Sequence, residues 1–331
     1  MAITHPSPQE TYGNLAKLGF GANFLGGLIT FFYLAVINPV PLGEESYRAL
    51  ETVDIIIFAI AIAIIFPSAH ALGSLLQRPI RTWQIKIETG TPSADLPISI
   101  ARRILNWPLI SSAIIASTWL FSALFFAFFH DNPGNFVGIA IGGVVTTAII
   151  YSGTDLFWRN IIAVFFPQGI LSEIPAIRIW VQRRLLLSFI LIGAITPILL
   201  VILTLERARI IVDSENPEVI LNNLTIVLIF ILVVGLSTGV IVAVLVARAI
   251  VGPIKDLQGA MERVKNNELN TEVQVITNDE LGYLGERFNL MTSGLRQGER
   301  LRQLFGLYVS PEVARAAVDT GAGLGGELVN C

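Results

Sequence analysis

Cysteine is almost missing from these 331 residues, and the single one, Cys331, is the last. An internal disulfide is thereby excluded, and so is a thiolate metal site. Histidine is nearly as scarce, and His5, His70 and His130 are too few and too scattered for a metal cluster. Charge is thin as well. Asp, Glu, Lys and Arg make up 14% of the chain, against roughly 25% in soluble domains. Hydrophobic residues make up 53%, a balance that belongs in a bilayer. The net charge of −3 lacks the basic face of a nucleic-acid binder. No Gly-x-x-x-x-Gly-Lys-Ser/Thr phosphate loop, catalytic-triad context or metal-ligand spacing occurs anywhere. Residues 1–17 are polar and lack the basic start of a cleavable signal, so they read as a cytoplasmic N-terminal segment.

Long apolar runs are what the chain does have. A bilayer core of ~30 Å needs about 20 apolar residues as helix. Six segments qualify, roughly 18–38, 53–76, 107–129, 136–158, 185–205 and 223–247, making residues 18–247 a transmembrane domain. The second is the least clean: Asp54 begins it, and Pro67 and His70 interrupt its second half. Pro197 predicts a kink in the fifth.

The connecting loops alternate in charge. Arg78, Arg81, Lys86, Arg102 and Arg103 follow the second run, and Arg159, Arg178, Arg183 and Arg184 follow the fourth. The other three loops hold Arg48, Arg207 and Arg209 beside Glu44, Glu45, Glu51, Asp131, Asp213, Glu215 and Glu218. By the positive-inside rule both termini are cytoplasmic in a multi-pass plasma-membrane protein. The outer loops, at most about 17 residues, are too short for an external ligand-binding domain of about 50 residues or more. No paired broken segments mark a transporter.

Some intramembrane features have two readings. Asp155, one turn before Arg159, reads as an interfacial ion pair or as a functional charge. His70 reads as an interfacial polar residue or as a proton or ligand sensor. Two glycine patches, Gly19, Gly21, Gly26, Gly27 and Gly138, Gly142, Gly143, would let helices pack closely or would line a cavity.

The most informative stretch follows the last run. No charged residue occurs from Leu224 to Ala247, and then come Arg248 and Gly252-Pro253-Ile254-Lys255. Ile254, Leu257, Met261 and Val264 recur at spacings of 3, 4 and 3, one face of a coiled-coil helix. A polar connector containing Leu269 and Val273 leads to Asp279-Glu280-Leu281-Gly282. Leu281, Leu284, Phe288, Met291 and Leu295 then repeat at 3, 4, 3 and 4. Each face is too narrow for a lone helix, so a dimer closing a four-helix parallel bundle is expected.

Residues 248–300 resemble a HAMP domain. Pro253 matches the proline opening its first helix, and Leu269 and Val273 match the connector plugs. Glu280 and Gly282, next to Asp279, match the acidic-x-Gly signature opening the second helix. The usual connector glycine is replaced by Asn267 or Glu268, and asparagine tolerates the left-handed conformation. After Leu295 the phase shifts: Gly298 and Arg302 fall on apolar positions, and Leu301 and Leu304 restart the pattern. Such a stutter lets a coiled coil hold two registers.

Residues 301–331 form a coupling segment. Phe305, Gly306, Tyr308, Val309, Ser310, Pro311 and Glu312 resemble the stretch entering the catalytic domain of bacterial class III adenylate cyclases, as does the turn Leu324-Gly325-Gly326-Glu327. That resemblance implies conversion of ATP to cyclic AMP and pyrophosphate by a catalytic domain lying beyond Cys331. It implies a two-metal Mg or Mn site there, and a parallel homodimer. No catalytic, cofactor-binding or metal residue maps onto residues 1–331. The expectation is an all-α membrane protein of six transmembrane helices, a HAMP parallel coiled-coil module and a short coupling helix. It would relay a membrane signal to a dimeric output. Another HAMP receptor, such as a histidine kinase or chemoreceptor, and a stand-alone membrane regulator are the alternatives. The stimulus is not legible.

Overall fold

The computed structural model of the chain describes residues 8–34, 52–93, 96–129, 133–167, 169–193 and 217–306, with a few positions between 197 and 208. The described residues are helical, without a strand, in the order α1 (Pro8–Phe32), α2 (Thr52–Glu88), α3 (Ile98–Leu105), α4 (Trp107–Phe129), α5 (Pro133–Phe165), α6 (Val181–Gly193), α7 (Pro217–Lys265) and α8 (Glu280–Gly306). Among them, four stretches are long and apolar enough to cross a membrane: Pro8–Phe32, Trp107–Phe128, Phe136–Phe165 and Leu224–Lys265. The protein is a multi-pass membrane protein by that measure.

Several helices outrun the apolar runs that announce them. α1 begins at Pro8, ten residues ahead of the first run. Proline suits the first helical turn, and the polar residues after it are compatible with helix. α2 passes through both Pro67 and Pro79 to Glu88, so the expected interruption at Pro67 does not stop it. His70 is exposed on that helix. The fourth run sits inside α5, whose ends extend to Pro133 and Phe165. α6 covers the start of the fifth run, and the remainder of that run lies largely outside the described residues. Between the second and third runs the short amphipathic α3 had no counterpart in the sequence expectation; it buries Ala101, Ile104 and Leu105.

Two compact units are present. The first comprises Met1–Pro253 together with Val275–Tyr283, and the second comprises Ile254–Gln274 with the chain from Leu284 onward. In the first, α5 packs against α1 and α4. Glycine sets the closeness of both crossings. A Cβ on Gly142 would sit 2.6 Å from the Gly26 carbonyl oxygen, and one on Gly143 would sit 2.6 Å from Trp119 Cβ. Gly26 and Gly138 are equally tight against α5 and Tyr33, whereas Gly19, Gly21 and Gly27 face open space. The glycine patches thus divide into packing and non-packing members. Thr146 Oγ1 donates to the Ala22 carbonyl at 3.2 Å, and Trp119 Nε1 donates to Asn23 Oδ1 at 3.2 Å. These bonds knit helices where apolar area alone gives little selectivity.

A second core gathers Ile80, Ile104, Trp107, Trp158, Ile161, Phe165, Leu171 and Val275. Trp158 is fully buried, and its Nε1 donates to the Ile104 carbonyl at 2.8 Å. Val275, far along the chain, belongs to this core. It lies beside Gly169, whose φ of +67° places the turn after α5 in the left-handed region.

Candidate functional site

The site is the stretch of α7 around Pro253, where the last span continues into the first heptad helix, together with the start of α8. Pro253 lies inside α7, which runs unbroken to Lys265. Proline has no amide hydrogen, so the carbonyl of Ala249, four residues earlier, loses its helical donor. Arg159 on α5 supplies a substitute: its Nη1 donates to the Ala249 oxygen at 2.5 Å. Arg159 is itself buried, and its Nη2 donates to Asp155 Oδ2 at 3.1 Å. The Asp155–Arg159 ion pair read from the sequence is therefore present, with a further partner. Arg184 in the first turns of α6 donates from Nη1 to the same Asp155 Oδ2 at 2.8 Å.

Arg184 also reaches the start of α8. Its Nη2 lies 3.6 Å from Asp279 Oδ2, with the two side chains 4% and 5% exposed. Asp279 Oδ1 faces the other way and caps the helix, accepting from the Leu281 amide at 3.1 Å, the Gly282 amide at 3.3 Å and Thr277 Oγ1 at 2.8 Å. An aspartate here satisfies amides that have no helical partner. Glu280 Oε2 accepts from the Val181 amide at 2.8 Å, placing a carboxylate at the positive end of α6. Gly282 has to be glycine, because a Cβ there would strike the Thr277 carbonyl oxygen. The acidic-x-Gly pattern thus has a local cause: one carboxylate to cap, one to reach α6, and a residue without Cβ under the turn.

In the second unit, Leu257, Ala260 and Phe288 form a small core with Val264 and Val273 against it. Val273 is held by Asn289 on both sides of its peptide: its amide donates to Asn289 Oδ1 at 2.8 Å, and Asn289 Nδ2 donates to its carbonyl at 2.8 Å. Leu269 is half-buried, and Asn267 carries φ +67°, the conformation its place in the connector suggested. The remaining heptad residues divide. Leu281 is half-buried, but Ile254, Met261, Leu284, Met291 and Leu295 are each 45–49% exposed. They make a stripe of large apolar side chains uncovered within one chain. α8 continues helically through Gly298 to Gly306, so the stutter does not break the backbone. Phe305 and Gly306 end that helix, and Tyr308, Val309, Ser310, Pro311 and Glu312 lie outside the described residues.

Residues 245–297 match the family model of the HAMP domain. This part of the chain is a HAMP domain. Curated relatives include an uncharacterised Mycobacterium tuberculosis protein, 39% identical over 115 residues that cover 33% of this chain and 21% of the relative. A second from the same organism is 37% identical over 100 residues, covering 29% and 19%. A third is 43% identical over 75 residues, covering 23% and 13%. The chain thus spans about a fifth or less of the relatives it matches. No solved structure matches it.

Arg184, Arg159, Thr277, Ala249 and Asn289 carry the HAMP domain's attachments, and sequence periodicity singled out none of them for that role. Pro253 held the one usable signal: a proline inside a helix frees a carbonyl, and a freed buried carbonyl calls for a donor. Among the described residues, no group of three His, Cys, Asp or Glu side chains could hold a metal ion.

Proposed function

We propose that this chain is the membrane-anchoring and signal-relaying region of a dimeric class III adenylate cyclase. The observation that carries the reading is the run Phe305-Gly306-Leu307-Tyr308-Val309-Ser310-Pro311-Glu312, which begins with the last two residues of α8. It resembles the entry to that catalytic domain, and Leu324-Gly325-Gly326-Glu327 resembles the turn into its first strand. The HAMP match and the membrane-spanning helices supply the rest of the arrangement.

In this reading six helices span the plasma membrane, with both termini cytoplasmic by the distribution of Arg and Lys. The exposed stripe from Ile254 to Leu295 closes against a second copy, giving a parallel four-helix bundle. Movement of the spans shifts that bundle, and the shift changes how two catalytic halves meet. A Mg or Mn pair in the catalytic domain would serve the cyclisation. Within this chain the described residues position and relay.

The test is direct. The full-length protein, extracted from its native membranes, should convert ATP to cyclic AMP and pyrophosphate with Mn present, while residues 1–331 alone should not. A full-length protein that forms no cyclic AMP but phosphorylates one of its own histidines would instead identify a HAMP-linked kinase.

A further inference from the structure

The two buried arginines that meet at Asp155 reach the lead-ins of both HAMP helices. Arg159 reaches the Ala249 carbonyl on α7, the oxygen that Pro253 leaves without a helical partner. Arg184 reaches Asp279, the cap of α8. Asp155 Oδ2 accepts from both, at 3.1 and 2.8 Å. We propose that Asp155 is the hub of an ionic clasp through which α5 holds both lead-ins, giving the relay a second mechanical input beside the continuous helix α7.

The charges argue for a linked, releasable device. Two arginines and two aspartates balance, so the cluster is neutral as a whole, but no single pair within it is independent. Both arginines and Asp279 are almost completely buried, whereas the Asp155 side chain is 22% exposed. Buried ion pairs contribute little net stability compared with apolar packing, yet removing one member leaves an uncompensated charge. Such a network holds one geometry or lets go as a whole. Asp155 touches both arms, so a displacement of α5 along its axis acts on Arg159 and Arg184 together. Two neighbouring contacts secure the same segment: Glu280 with the Val181 amide, and Val275 with Gly169. The inference rests on the relay reading above, and it adds where the signal enters.

A cysteine pair reads the clasp without any enzymatic output. In the full chain carrying Cys331→Ser, a Cβ on Gly169 lies 3.0 Å from Val275 Cβ, close enough for a disulfide after a small shift. Gly169→Cys with Val275→Cys should therefore crosslink within one chain in membranes, the strain of a side chain at the Gly169 φ of +67° being common to every variant compared. Asp155→Asn should slow that crosslink about tenfold or more by removing the carboxylate that Arg159 and Arg184 share, and Asp279→Asn should slow it while leaving the helix cap in place. A Leu284→Cys dimer crosslink, made in parallel, reports whether the HAMP bundle itself persists. Slower 169–275 crosslinking with unchanged 284–284 crosslinking is the expected result. Unchanged 169–275 crosslinking in both charge variants overturns the clasp. If Asp155→Asn also abolishes the 284 crosslink through misfolding, Asp279→Asn alone decides. A missing 284 crosslink in the parent chain counts against the dimeric relay and leaves the 169–275 comparison standing.

Discussion

Asp279 performs two tasks with two oxygens, and two substitutions separate them. Oδ1 caps α8 through the Leu281 and Gly282 amides, and Oδ2 faces the buried Arg184. Asparagine retains a capping oxygen and loses the charge, while alanine loses both. A lost aspartate cap costs about 1 kcal/mol, or about fivefold in local opening. The contact with Arg184 is 3.6 Å long, beyond hydrogen-bond reach, and Arg184 keeps Asp155. Its loss therefore costs on the order of 1–2 kcal/mol, below the full penalty of a broken buried pair. Amide hydrogen exchange of the chain in lipid nanodiscs resolves the two. Asp279→Asn should speed exchange across residues 275–277 about five- to thirtyfold and leave 281–282 near the parent rate. Asp279→Ala should add about fivefold at 281–282. Equal exchange at 281–282 in the two variants would refute the capping role. Parent-like exchange at 275–277 in both would refute the charge role.

Other expectations follow from the same geometry. Gly282→Ala drives a methyl into the Thr277 carbonyl oxygen, so the α8 start should loosen by at least about 2 kcal/mol, seen as faster exchange of residues 277–283 with α4 and α5 unaffected. Gly142→Val should lower the thermal stability of the membrane unit by several kcal/mol (about 3), because it forces α1 from α5. Gly27→Ala, which meets nothing within 4 Å, should be neutral or stabilising by up to about 1 kcal/mol. Trp158→Phe removes the indole donor from the buried Ile104 carbonyl and should cost about 1–3 kcal/mol in the same thermal measurement.

Periodicity made the element types legible and left their joints obscure. The third and fourth spans are plain in the sequence because no charged residue divides Trp107–Phe129 and only Asp155 and Arg159 are charged in Pro133–Phe165. The prolines misled in α2, since a helix packed among others can run through Pro67 and Pro79. The HAMP helices declared themselves through heptad spacing, and Asn267 through its tolerance of positive φ. The clasp did not. Asp155, Arg184, Ala249 and Asp279 are separated by 29 to 124 positions in the chain, and no local pattern links residues brought together only by helix packing. The Asn289 clamp on Val273 was hidden for the same reason. Half of the predicted heptad core is exposed in one chain, the pattern expected if the proposed second copy completes it.

The account turns most on that exposed stripe. With Cys331 replaced by serine, single cysteines at Leu284, Met291 and Leu295 should crosslink two chains efficiently in membranes, while Ser293 and Gln297, two residues off the stripe, should not. Crosslinking that follows the heptad establishes the HAMP domain as a parallel dimeric relay; chains that stay monomeric at every position, or react equally at all five, contradict it.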